Sequence, residues 1–127
     1  MKISIPKERR EHEKRVAATP DTVKKYITLG FDVTIETDAG KASQNMDQDY
    51  IDAGATIAPD PTSAYADADI VLKVQGPMIA GESDLDELSM IKSGALLIST
   101  LDPMNNGDHV KAFASSNISA FAMEFMP

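Results

Sequence analysis

The run Ile70-Val71-Leu72-Lys73-Val74 constrains the fold more than any other stretch of the chain. A nearly continuous apolar segment of this length, ended by Gly76-Pro77, suits a central strand covered on both faces. Strands of that kind lie in parallel sheets, whose neighbours are joined by crossovers long enough to hold a helix. The rest of the chain should therefore alternate short strands with helices.

It does. Lys2-Ile3-Ser4-Ile5 alternates and stops at Pro6, which cannot donate to a ladder. A charged loop, residues 7–18, leads to Thr19-Pro20, an N-cap followed by proline at the first helical position. The helix carries Val23, Tyr26 and Ile27 on one face and ends at Gly30, where a left-handed cap is wanted. Residues 31–36 alternate with β-branched side chains and read as the next strand. Asp47 precedes a short helix ending at Gly54, and Ala55-Thr56-Ile57-Ala58 is a brief strand halted by Pro59 and Pro61. Thr62 is expected to cap a short helix through Ala66. Leu85, Leu88 and Ile91 mark another helix ahead of the apolar strand Ala95-Leu96-Leu97-Ile98. A last helix, opened by Asn106-Gly107-Asp108, should turn Val110, Phe113 and Ala114 inward before a final strand over residues 118–123. The expectation is a single α/β domain, residues 1–127, with a doubly wound, mainly parallel sheet and helices on both faces, Rossmann-like or flavodoxin-like.

Composition narrows the function. Twelve Lys and Arg against twenty Asp and Glu give a formal charge of −8, the wrong sign for a phosphate backbone, so nucleic acid is not an expected partner. With no Cys and two isolated His, His12 and His109, neither a thiolate zinc site nor a histidine cluster is available, and no metal is expected. Met1 leads into a charged segment, and no apolar run approaches the roughly 20 residues of a spanning helix. A cytoplasmic chain is the expectation.

Doubly wound sheets bind ligands beyond the carboxyl ends of their strands. Three turns qualify: residues 6–9, 75–78 and 100–105. None contains G-x-G-x-x-G or G-x-x-x-x-G-K, so the fold lacks a dinucleotide fingerprint and a phosphate loop. Four side chains are cleft-facing candidates. Arg15 is either one more solvated charge or a planar fork for a carboxylate. Lys73, inside an apolar run, either snorkels at the strand end or is a perturbed functional amine. Asp102 is a cleft-mouth acceptor or, the reading preferred here, a helix-entry residue before Pro103. Gln75 closes the central strand. The seven Met read as core and interface filler.

An ordered series of short pieces runs the length of the chain: I-P-K-E-R at positions 5–9, R-V-A-x-T-P at 15–20, L-G-F-x-V at 29–33, A-G at 39–40, A-G-A at 53–55, A-D-I-V-L-K-V at 68–74 and A-M-E at 122–124. In that order they resemble the N-terminal domain shared by alanine dehydrogenases and the alpha subunit of the proton-translocating NAD(P) transhydrogenase. The alanine dehydrogenase branch holds its keto acid with an arginine at the position of Arg15 and a lysine two residues after Lys73, and uses a histidine where this chain has Asp102 or a neighbour. Here the lysine is replaced by Gln75, and K-V-Q-x-P resembles the transhydrogenase branch. A neutral amide cannot protonate a carbonyl as an ammonium does.

The resemblance implies that this is the N-terminal domain of a transhydrogenase alpha subunit, one wall of an NAD(H) cleft whose glycine-rich NAD-binding domain lies outside the 127 residues. It implies NAD(H) in the intact protein, with none bound tightly by this chain, and no catalytic residue or turnover in the chain alone. It also implies membrane and NADP-binding partner subunits that would hold the chain peripherally at the inner membrane, and a homodimer in the intact protein. A segment from the far C-terminal end of the long subunit completes the domain in the family, so apolar surface is expected to be open here. The alternatives are an amino-acid dehydrogenase domain with an altered site and a non-catalytic module that binds a partner.

Overall fold

A computed structural model of the protein describes residues 1–82, 85–100 and 107–123. Six parallel strands, β1 (Lys2–Ile5), β2 (Asp32–Glu36), β3 (Thr56–Ala58), β4 (Ile70–Gln75), β5 (Leu96–Thr100) and β6 (Ser119–Ala122), form one sheet in the order β3-β2-β1-β4-β5-β6. This is the Rossmann order, not that of flavodoxin. The deciding contact is β4 beside β1, in the register Ile3 with Ile70 and Ser4 with Val71.

Local chemistry sets the helices. In α1 (Pro20–Thr28) the Thr19 side chain accepts from the Thr22 N–H. Its end is a Schellman cap: Phe31 N–H donates to Tyr26 C=O, Gly30 N–H donates to Ile27 C=O, and Gly30 sits at φ 99°. The helix α2 (Asp47–Asp52) begins where Asp49 accepts from the Met46 N–H. The cap of α3 (Pro61–Tyr65) is Asp60, accepting from Ser63 N–H at 2.7 Å, with Pro61 at the first position, so the expected cap at Thr62 is corrected by two residues.

Strand alternation sends side chains to two faces. Ile3, Ile5, Val33 and Ile35 pack with Val23 of α1 and Tyr50 of α2. Val71 and Leu97 pack on the other face with Tyr65 of α3, Leu88, Ile91 and Phe113 of α4 (Gly107–Ser115). Full burial of each such side chain contributes roughly 1.5–3 kcal/mol.

Three expectations fail for identifiable reasons. Residues 88–90 form a single 3₁₀ turn in place of a helix, because Asp86 accepts from the Ser89 N–H and the Ser89 hydroxyl donates back to Asp86 C=O, competing with helical bonding. Of the inward set of α4 only Phe113 is buried; Val110 and Ala114 are exposed, since a helix against the edge strand β6 buries a narrow stripe. The central strand β4 is fully covered on one face, where Val71 and Lys73 lie, and half-covered on the other. On that second face Phe121 is 51% and Met123 44% exposed.

Candidate functional site at the crevice between β1 and β4

β1 feeds β2 on one side and β4 feeds β5 on the other, so the chain leaves these adjacent strands in opposite directions and opens a crevice at their carboxyl ends. Two loops wall it: residues 6–19 after β1 and residues 76–79 after β4.

The floor is a buried charge cluster. The register of β4 against β5 shifts between Leu72 and Gln75, taking the Val74 and Gln75 N–H groups out of the regular ladder. Both donate instead to the Glu8 carboxylate at 3.0 Å. Lys73 Nζ lies 3.5 Å from Glu8 and 3.2 Å from Glu87, with the three side chains 1%, 2% and 0% exposed. Glu87 also accepts from the Tyr65 hydroxyl at 2.6 Å and the Met78 N–H at 3.1 Å. Burial raises the Glu8 carboxyl above its ordinary pKa, with the Lys73 charge and the two backbone donors opposing. Burial, followed by the Glu87 charge, pushes the Tyr65 phenol well above its usual value, so it remains a donor.

The rim is built on Glu13. Its Oε1 accepts from Gln75 Nε2 at 2.8 Å and from Arg15 Nη2 at 2.8 Å, while its Oε2 accepts from Arg15 Nε and from the Arg15 backbone N–H, each at 3.0 Å. The Arg15 guanidinium holds the Glu13 carboxyl down at about 2, aided by the Gln75 amide against the cost of burial. The Arg15 side chain itself is 70% exposed.

A third group braces the second loop. Arg10 donates to Gly76 C=O at 3.0 Å and Pro77 C=O at 3.3 Å and pairs with Glu82, which also binds His109 Nε2 at 2.9 Å. Behind the crevice, Val16, Tyr26, Leu72, Ile98 and Met123 line an open hollow of about 300 Å³ on the half-covered face.

Of the four sequence candidates, the structure links Arg15 and Gln75 through Glu13. Lys73 neither snorkels nor stands free: its ammonium is buried between two carboxylates. Asp102 lies outside the described residues. Glu8, Glu13 and Glu87 went unrecognised, because a buried acid and a solvated one look alike in a sequence. One signal was available: a lysine inside an apolar run requires buried counter-charges. Among the described residues no group of three or more His, Cys, Asp or Glu is placed to hold a metal. No helix among them is long and apolar enough to cross a membrane.

The sequence profile of the family described as alanine dehydrogenase/PNT, N-terminal domain, matches residues 4–127. The chain belongs to this family. Within it, the chain is 47% identical over 127 residues to the first part of the NAD(P) transhydrogenase subunit alpha of Rhodospirillum rubrum, covering 100% of this chain and 33% of that protein. The alanine dehydrogenase of Staphylococcus haemolyticus is 34% identical over 124 residues, covering 98% of this chain and 31% of the relative. The crystal structure of transhydrogenase from Sinorhizobium meliloti superimposes with a TM-score of 0.91 at 38% identity, covering 100% of this chain and 36% of that one. The chain thus spans about a third of the length of these relatives. Arg15 opens the R-V-A-x-T-P piece of the sequence, Glu13 lies just before it and Gln75 just after A-D-I-V-L-K-V, and the fold sets the three at one crevice.

Proposed function

We propose that this chain is the N-terminal domain of an NAD(P) transhydrogenase alpha subunit and forms one wall of the cleft in which NAD(H) donates or accepts hydride in exchange with NADP(H), coupled to proton movement by membrane subunits. The observation that carries the reading is the Arg15–Glu13–Gln75 arrangement. A keto-acid site needs a cation free to take the carboxylate and an acid to protonate the carbonyl. Here the Arg15 fork is already engaged by Glu13 and the facing group is a neutral amide. Higher identity to a transhydrogenase subunit than to an alanine dehydrogenase supports the same branch.

The chain's own residues orient and shield. Glu8 fixes the end of β4, Glu13 sets the Arg15 and Gln75 side chains, and the Arg10–Glu82 pair holds the loop that follows. The sequence carries neither G-x-G-x-x-G nor G-x-x-x-x-G-K, so on this reading the pyrophosphate would be held by the glycine-rich domain and the chain alone would not turn over. The open apolar face supports a domain completed by a further segment of a longer subunit and by partner subunits.

The test is hydride transfer by the domain joined to its nucleotide-binding half and partner subunits, with and without Gln75→Ala. A fall of about tenfold in kcat/KM for NADH is expected. Reductive amination of a keto acid by the same protein, or unaltered transfer in the variant, would overturn the reading.

A further inference from the structure

We infer that Glu13 is a specificity-determining residue, which converts the Arg15–Gln75 rim from a site for carboxylates into a site for a carboxamide. The inference deepens the NAD(H)-cleft reading and rests on it, naming the nicotinamide carboxamide as the group recognised.

Glu13 is an acceptor only, so the Gln75 side chain must present its NH₂ to it, which fixes the amide orientation. The Gln75 Oε1 is thereby left as a neutral acceptor at the rim. Arg15 spends Nε and one Nη2 hydrogen on the same carboxylate, leaving Nη1 as a donor. Among the described residues neither Gln75 Oε1 nor Arg15 Nη1 has a hydrogen-bond partner. Both side chains are tethered to one oxygen of Glu13, Arg15 through Nη2 and Gln75 through Nε2, which gathers them at one point of the rim. A donor beside an acceptor matches a primary carboxamide, whose oxygen takes the Arg15 N–H and whose NH₂ meets Gln75 Oε1. A carboxylate fits this pair poorly. Its second oxygen would face the Gln75 oxygen without a proton between them, and the Arg15 charge that would attract it is already offset by Glu13. With lysine at position 75 a second cation would restore the attraction; glutamine supplies none.

Nicotinamide and nicotinate differ only in this group and serve as the probes. The isotope-labelled chain is titrated with each, following the Gln75 side-chain NH₂ and the Arg15 and Gln75 backbone amides. Nicotinamide is expected to shift these signals with an affinity at least about tenfold above that of nicotinate. Glu13→Gln, which removes the charge and retains the shape, should erase or reverse that preference while the rest of the spectrum stays dispersed. Gln75→Leu, which removes the acceptor, should abolish the nicotinamide shifts without admitting nicotinate, and decides the matter should Glu13→Gln not fold. Equal or tighter nicotinate binding by the unsubstituted chain, no response to either probe, or a preference unchanged in both variants would overturn the inference. Hydride transfer by the complete assembly tests the parent reading separately, so loss of the preference with transfer intact would overturn the inference alone.

Discussion

The backbone N–H of Gln75 donates to the Glu8 carboxylate at 3.0 Å across 67 residues of sequence, and this bond, with its neighbour at Val74, replaces the strand ladder at the point where β4 slips against β5. Glu8 thus acts as a piece of strand supplied by a side chain. Its oxygens serve two half-buried N–H donors and face an ammonium, so truncation strips both donors of their partner and leaves the ammonium with Glu87 alone.

Glu8→Ala is therefore expected to cost about 3 kcal/mol, because two half-buried N–H groups go unmet and the buried Lys73 charge keeps Glu87 as its one remaining partner. Glu8→Gln retains one acceptor and should lose less. Urea unfolding measures both; equal, small losses would show that the Glu8 carboxylate does not hold the end of β4.

Lys73→Met should also destabilise, by about 3 kcal/mol, since it abandons Glu8 and Glu87 in the interior. Adding Glu87→Gln removes one of the abandoned charges and should recover part of that loss. A double-mutant cycle is expected to return a coupling of about 1–3 kcal/mol for this contact pair, and additivity would place the two groups in independent environments.

Acid should act on Glu13 and Glu8 with opposite signs. The Glu13 carboxyl is lowered from 4.5 to about 2 by Arg15. It binds fewer protons folded than unfolded, so its contribution is present above pH 4.5 and disappears as the pH falls from there through about 2. Glu8 is raised above 4.5 by burial. Its contribution is fully present below pH 4.5 and is lost as the pH rises through the elevated value. Carboxyl carbon shifts resolve the two titrations, and Glu13→Gln should delete only the lower one. A Glu13 titration at 4.5 would dissolve its bridge to Arg15.

The half-covered face should report its exposure directly. Phe121→Lys removes a 51% exposed ring, so it should change stability by less than about 0.5 kcal/mol while reducing the fluorescence of a bound apolar dye. A loss of several kcal/mol would mean that the ring is packed.

Much of the architecture was legible because it depends on neighbours along the chain. Thr19-Pro20 and Gly30 set both ends of α1 through bonds spanning a few residues, and the Ile70–Val74 run marked a central strand. Even local reasoning failed where side chains competed for the backbone, as at Asp86 and Ser89, or where coverage depended on a distant element, as at Val110 and on the open side of β4.

The sequence by itself determined the alternation of strand and helix, the absence of a phosphate loop, and the presence of a lysine where only apolar residues belong. Tertiary structure decided the strand order, the pairing of Lys73 with Glu8 and Glu87, and the meeting of Arg15 with Gln75 on Glu13. The reason is range. Period and capping act over a few residues, whereas these contacts join loops that become neighbours only when β4 settles beside β1. Burial, which no run of letters displays, then turns ordinary surface carboxylates into the floor and rim of a site.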